Sequence, residues 1–304
     1  MIALSAEYLR TASGWFLPML NYASYSTPAE FDVGYANSID EAVVARWEGF
    51  FRNESRKVTD RPFVKLAYGP DPRNRIDFFP APNAAPGAPV LVAIHGGLWF
   101  LFDKWMMNFL VPAFTAAGVH VACPNYRLAP NVGLDEIVAD CRSALAFLHL
   151  NRDGRGVAPG PFSVLGHSAA GQLAAVMAST DWAAFDARLP ADLIHSWIGV
   201  SGFYDIEPFA WTGFQAQTGF TADAYRRWNP VNLVRSGMPS GVLITGAEES
   251  ALLHEMMEGY AHLLVASGVG VQTVDAPGES HFSVLSRLGD PESKVHHLVL
   301  GTVR

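Results

Sequence analysis

Only two cysteines occur in the 304 residues, too few for a disulfide-built scaffold. Cys123 lies in a strand-like run and Cys141 in a helix-like one, so both read as buried structural thiols. No apolar run is long enough to span a membrane. The opening stretch, Met1 to Arg10, lacks a basic segment and a sustained apolar one, and Glu7 interrupts it, so no signal peptide is expected. Lys and Arg number 21 against 29 Asp and Glu, and no basic stripe suggests nucleic acid. No H-E-x-x-H or clustered ligand spacing points to a metal, and no cofactor is expected. Internal repeats and low-complexity tracts are missing too. These absences leave a cytoplasmic protein with a small-molecule substrate and neither a nucleic-acid nor a membrane partner; a homodimer is left open.

Half of the residues are hydrophobic, enough for a sizeable core. Residues 1–60 read as an aromatic-rich N-terminal arm, with Tyr8, Trp15, Phe16, Tyr22, Tyr25 and Phe31. Ile39, Val43, Val44, Trp47 and Phe50 recur at helical spacing, with Ser38 or Asp40 as the cap. The arm packs on the core, and part of it would roof a pocket.

The rest, 61–304, reads as one domain. Residues 63–68 and 75–79 form an edge hairpin around Gly69-Pro70-Asp71-Pro72. Pro80 to Pro89 is a surface loop, and the strands on either side of it are expected to be neighbours. From residue 89 onward apolar strands alternate with helices: strands at 90–94, 119–123, 162–165, 194–200, 242–245 and 271–274, helices at 109–117, 134–150, 251–266 and from 281. That rhythm predicts a mostly parallel sheet covered on both faces. Residues 202–233 break it with eight aromatics in no clean period, read as a lid or pocket wall above the carboxyl ends of the strands.

The chemistry centres on Gly166-His167-Ser168. A short apolar strand runs into it and small residues at helical spacing leave it, as at a strand–turn–helix elbow that exposes a serine hydroxyl. A serine needs a base, usually a histidine held in its useful tautomer by a carboxylate. His281 follows the last strand and is the candidate base. His254, His262, His296 and His297 lie on helices and read as surface or packing residues. The acid should follow the strand at 241–245. Glu248 and Glu249 are both reachable, with Glu249 favoured; Asp205 and Asp275 are weaker candidates. Ile94-His95-Gly96-Gly97-Leu98-Trp99 ends a strand with two glycines. Amides of Gly97 and Leu98, with that of Ala169, would form the oxyanion hole.

H-G-G-L-W at 95–99, N-Y-R-L-A-P at 125–130, G-H-S-A-A-G at 166–171 and S-H-F at 280–282 resemble the kynurenine formamidase-like (arylformamidase) branch of the α/β-hydrolases. The likeness runs from about residue 30 to the end. It implies an α/β-hydrolase fold, with Ser168 as nucleophile, Glu249 as acid, His281 as base, and Gly97 and Leu98 as oxyanion donors. One departure is Ala170, where the family has glycine; its methyl should push the helix slightly from the strand.

The implied activity is hydrolysis of a small ester or amide, such as an N-formyl aryl amine, through an acyl-enzyme. The competing reading is a hydrolase fold that only binds a ligand. Trp99, Phe100, Phe102, Trp105 and Met106 would line an aryl or apolar substrate, joined by Tyr204 and Trp211 from the insertion. The amino-acid head of formylkynurenine would want a charged partner. Arg226 and Arg227 could serve, though they read better as surface residues.

Overall fold

A computed structural model describes residues 9–11, 14–16, 20, 22, 23, 25, 27–36, 40–58, 60–82, 84–151 and 160–304. Tyr8, Ser38 and Ile39 lie outside the described residues. In chain order the elements are β1 (Leu9–Thr11), β2 (Gly14–Phe16), α1 (Pro28–Ala36), α2 (Glu41–Arg56), β3 (Val64–Ala67), β4 (Arg75–Phe79), β5 (Val90–Ile94), a 3-10 segment at Lys104–Leu110, α3 (Val111–Ala116), β6 (His120–Pro124), α4 (Leu134–Leu150) and β7 (Phe162–His167). Then come α5 (Ala169–Ser179), α6 (Trp182–Phe185), β8 (Ile194–Val200), α7 (Gly213–Thr218), α8 (Ala222–Arg227), β9 (Gly241–Gly246), α9 (Ala251–Ala266), β10 (Val271–Ala276), α10 (Ser283–Arg287) and α11 (Lys294–Val303).

Eight strands form one sheet in the order β10-β9-β8-β7-β5-β6-β4-β3. Pairs from β10 through β6 are parallel, and β4 and β3 are added antiparallel at one edge. The hairpin at 63–79 is therefore an edge pair. Its second strand is not beside β5, however: β4 pairs with β6. The loop at 80–89 crosses an intervening strand, which alternation alone does not show.

The central strands are buried on both faces, as a covered parallel sheet requires. Side chains of β5 alternate between two cores. Val90, Val92 and Ile94 join the cluster under α4, α5 and α9. Leu91 and Ala93 join the one under α2, α3, α10 and α11.

The N-terminal segment is fastened rather than loosely laid on. Asp40 caps α2, its Oδ1 accepting from the amides of Ala42 at 3.0 Å and Val43 at 3.2 Å, the usual device for the orphan donors of a first turn. The buried stripe of α2 differs from the expected one: Phe51 is fully buried, whereas Val43 and Phe50 are 41% and 40% exposed. Trp47 and Phe51 turn toward Phe282 and Phe109. Upstream, Asp205 accepts from the Leu20 amide at 3.2 Å, the Tyr22 hydroxyl at 3.3 Å and Asn229 Nδ2 at 2.7 Å. Tyr35 stacks on Phe209 at 4.0 Å, and Asp32 accepts from the Gly213 amide at 3.0 Å.

The aromatic insertion at 202–233 is mostly core. Phe203, Tyr204, Phe209, Phe220 and Tyr225 are all at most 2% exposed. The aromatics are there to bury themselves, and only Phe214 and Gln217 from this stretch reach the cavity described below. No helix among the described residues is long and apolar enough to cross a membrane.

Candidate active site

Because β5, β7, β8, β9 and β10 run parallel, their carboxyl ends lie along one edge of the sheet. Five loops leave that edge, carrying Gly97 and Leu98, Ser168, Ser201, Glu249 and His281. Ligands in such sheets bind outside these ends.

Ser168 sits between β7 and α5 at φ 57°, ψ −128°, a conformation sparsely used by residues with a Cβ. Two glycines make the turn feasible. A Cβ at Gly166 would lie 1.8 Å from the carbonyl oxygen of Ala170, and one at Gly96 would lie 2.6 Å from that of His167. One residue after Ala170, a Cβ at Gly171 would meet Cα of Gly202, just past β8, at 2.4 Å. Ala170 is itself fully buried.

His281 Nδ1 lies 2.7 Å from Oε2 of Glu249. The other oxygen, Oε1, accepts from the Ser201 hydroxyl at 2.5 Å and the Gly246 amide at 2.8 Å. The Glu249 side chain is fully buried. Burial pushes its carboxyl up, but the charge and hydrogen bond of His281, then Ser201 and the Gly246 amide, outweigh that and hold it below the ordinary value. Its neighbour Glu248 is exposed. Of the other candidates, Asp205 anchors the N-terminal segment, and Asp275 pairs with His254 at 3.0 Å. Nε2 of His281 is buried and bonds to no described residue. It belongs to a side chain lining the same cavity as Ser168. His167 lies behind, its Nε2 2.8 Å from the His281 carbonyl, and burial pushes its imidazole down to about 3.

The loop after β5 is shaped by three successive residues at positive φ: Gly97 at 107°, Leu98 at 50° and Trp99 at 64°. Among the described residues, none accepts a hydrogen bond from the amides of Gly97, Leu98 or Ala169. The side chain of His95 holds the peptide between Gly96 and Gly97, Nδ1 donating to the Gly96 carbonyl at 2.8 Å. Since that peptide is trans, the Gly97 N–H is turned away from the ring. Burial pushes the His95 imidazole down to about 4, and its Nε2 lies 3.0 Å from Asn125 Oδ1. Arg73 braces the loop from outside, donating to Tyr126 O at 2.8 Å and to Phe102 O and Asn125 Oδ1 at 3.0 Å.

A cavity of about 340 Å³ opens over Ser168, within the usual range for small-molecule sites. Phe100, Phe102 and Met106 line it, along with Leu98, Leu101 and Phe282. Four expected wall residues do not. Trp99 is fully buried beneath the loop, its Nε1 donating to Gln172 Oε1 at 3.1 Å, because the positive φ angles turn the ring inward. Trp105 lies under Arg52 at 4.3 Å and accepts from the Ser55 hydroxyl at 2.6 Å through its carbonyl, docking α2. Tyr204 stacks on Tyr260 at 4.8 Å. Trp211 packs on the core.

Arg226 and Arg227 also lie elsewhere, paired with Glu207 at 3.0 Å and Asp135 at 2.7 Å. Residues that the sequence did not point to are Ser201, at the first position past β8, and Glu41, Val44 and Gln217 in the cavity wall. Only the position of Ser201 at a strand end could have drawn attention to it. Cys123 and Cys141 are free and buried. Among the described residues, no group of three His, Cys, Asp or Glu is placed to hold a metal ion.

The sheet, the elbow and the strand-end loops define an α/β-hydrolase. The family model described as BD-FAE matches residues 76–256. Kynurenine formamidase of Danio rerio is 25% identical over 256 residues, spanning 81% of this chain and 83% of its own. Esterase LipC of Mycobacterium tuberculosis is 24% identical over 239 residues, 71% of this chain and 59% of its own. A crystal structure from Silicibacter sp. TM1040, provisionally described as a thioesterase, superposes with TM-score 0.73 at 27% identity, covering 90% of this chain and 98% of its own. The esterase of Pyrobaculum calidifontis gives 0.67 at 22% identity, covering 86% and 92%. The chain belongs to the BD-FAE family, in the arylformamidase-like branch of the α/β-hydrolase superfamily, and it is a hydrolase.

Proposed function

We propose that the protein is a serine hydrolase cleaving small esters or amides with an apolar or aryl part, through an acyl-enzyme on Ser168. One observation carries the reading. Glu249 grips Nδ1 of His281 at 2.7 Å, while the unbonded Nε2 and the strained Ser168 share one cavity.

In this mechanism His281 Nε2 takes the proton of Ser168 as Oγ attacks the carbonyl carbon. Glu249 keeps Nδ1 protonated and stabilises the imidazolium that forms. The negative oxygen of the tetrahedral intermediate meets the unengaged amides of Gly97, Leu98 and Ala169. As the intermediate collapses, the imidazolium gives its proton to the leaving alcohol or amine. Water then repeats the sequence on the acyl-serine, releasing the acid. Relatives named as formamidases and esterases support the choice of carbonyl substrates, and the cavity's Phe, Leu and Met lining supports an apolar one.

The test is release of a chromophoric alcohol from a simple aryl acetate. The wild type should give a burst and then turnover. Ser168→Ala should keep its fold by circular dichroism and lose kcat by about 10⁶-fold. Retained turnover in that variant would defeat the reading. Specificity constants for formylkynurenine, an aryl acetate and an anilide, measured side by side, rank the substrates.

A further inference from the structure

We infer that Glu41 sets the charge preference of this cavity, so that substrates carrying a cationic or neutral group are accepted and those carrying a free carboxylate are disfavoured. The inference rests on the reaction proposed above and adds the substrate's charge class. Fifteen described residues line the cavity, and among them the only charged side chain apart from histidines is Glu41, in the first turn of α2. Glu41 is exposed and makes no ion pair or hydrogen bond with a described residue. Its charge is therefore not neutralised by a fixed partner there.

Among the described residues, no lysine or arginine joins the lining. Three cations of the neighbouring segments are already engaged, and Arg46 of α2 lies over the Trp47 ring at 5.8 Å. Arg73, whose guanidinium reaches the Phe102 carbonyl, lies 3.5 Å from Asp103. Lys104 lies 3.1 Å from Asp77. Arg52 sits over the Trp105 ring at 4.3 Å and pairs with Glu48 at 2.6 Å. Arg226 and Arg227 are paired far along the chain, as described above. A substrate carboxylate entering this cavity would give up water without gaining a cation, and would also face Glu41. An amine or quaternary ammonium would gain an attractive charge at the rim, above apolar walls. By the same chemistry, an α-amino-acid head is handicapped through its carboxylate.

The test compares aryl acetates of matched size bearing trimethylammonium, carboxylate or no charge. At low salt the cationic ester should exceed the anionic one in kcat/KM by on the order of tenfold, from two opposite Coulomb effects at a partly hydrated rim. The ratio should fall toward one as salt is raised. Glu41→Gln should collapse the ratio, and Glu41→Lys should invert it. Glu41→Asp should retain it. Equal rates, an anionic preference, or a ratio unmoved in Glu41→Gln and Glu41→Lys would each overturn the inference. Failure of the reaction itself is read separately, from the neutral ester. A second readout needs no turnover: the Tm shift of Ser168→Ala with phenyltrimethylammonium against benzoate. The cation should give the larger shift, lost when Glu41→Gln is added; a larger benzoate shift or none from the cation counts against Glu41.

Discussion

Ser201 donates its hydroxyl to Oε1 of Glu249 at 2.5 Å, from a backbone at φ 49°. His281 holds the opposite oxygen at 2.7 Å. The carboxylate is thus fixed between a hydroxyl and the imidazole, with the serine kept in a conformation that residues with a Cβ seldom adopt. Strain of this kind persists where surrounding structure over-determines it; here the Ser201 amide also bonds the Ile244 carbonyl at 2.7 Å.

Removing that hydroxyl should be felt as a pH effect. In Ser201→Ala the carboxylate loses a donor that favours its charged form, so the carboxyl becomes more basic. Because His281 is held in its useful tautomer only while Glu249 is ionised, the acid limb of kcat/KM should move to higher pH. Ser201→Thr should restore the limb, while Ser201→Gly should relieve the backbone and not restore it. A pH–rate profile of the three variants checks this. An unmoved acid limb in Ser201→Ala would show that the contact is only packing.

The loop after β5, proposed above to hold the oxyanion, gives a sharper mutational contrast. At Gly97 the backbone has φ 107°, and a Cβ would lie 2.5 Å from the Leu101 carbonyl oxygen and 2.7 Å from the Phe102 ring. Gly97→Ala should therefore shift the loop and misplace its amides. Losing one preorganised donor costs about 10²–10³ in kcat, so a fall of at least that size is expected. KM should change far less, because the apolar walls remain. Steady-state kinetics on the neutral aryl acetate decide the matter. A parallel loss in KM alone would place the effect in binding.

Helix α5 offers a comparison of two adjacent small residues. Ala170 stands where the family that the sequence resembles has glycine, and its methyl is expected to push the helix slightly from the strand. At the next residue, a Cβ on Gly171 would meet Cα of Gly202 at 2.4 Å. Gly171→Ala should cost about 1–3 kcal/mol through overpacking. Ala170→Gly should lower stability by about 0.5–1 kcal/mol through backbone freedom in a helix. Urea unfolding of both variants separates them. A larger loss at 170 than at 171 would contradict the geometry.

How much of this was legible in the chain depends on the kind of signal. Strands buried on both faces announce themselves as short apolar runs, so 90–94 and 194–200 match the sequence reading residue for residue, and 75–79 matches it through the hairpin turn beside it. The elbow at Ser168 and the strand-end positions of Glu249 and His281 are legible because loop order follows strand order in a parallel sheet. Side-chain direction in irregular segments is not. Trp99 follows two residues at positive φ, and no periodicity tells that its ring turns under the loop instead of over the substrate. Tyr204 and Trp211 fail for a related reason: an aromatic insertion without a period reads the same whether it walls a cavity or fills a core. Glu41 was invisible because what sets it at the cavity is how α2 packs over Phe282 and Trp105, a contact between distant parts of the chain.

The fastening of the N-terminal segment carries a pH dependence of its own. Asp205 is fully buried, and burial pushes its carboxyl up to about 6 from 3.8, against the hydrogen bonds from Asn229, the Leu20 amide and Tyr22. A carboxyl raised in the folded state binds its proton more tightly folded than unfolded. Its contribution to stability is therefore fully present below the ordinary value near 3.8 and is lost as pH rises through about 6. The size is on the order of 3 kcal/mol for a rise of about two units. Asp205→Asn cannot titrate, so the difference in unfolding free energy, wild type minus variant, should shrink as pH goes from about 4 to about 7. In either orientation the variant's amide would set a donor against Asn229 Nδ2 or the Leu20 N–H, so one hydrogen bond of the anchor is lost. Glu249 works in the opposite sense: its lowered carboxyl favours folding above its ordinary value and loses that contribution as pH falls, so only the wild-type minus variant difference isolates Asp205. Urea titrations at four pH values give that difference, and a flat line across them would mean that Asp205 stays ionised in its anchor.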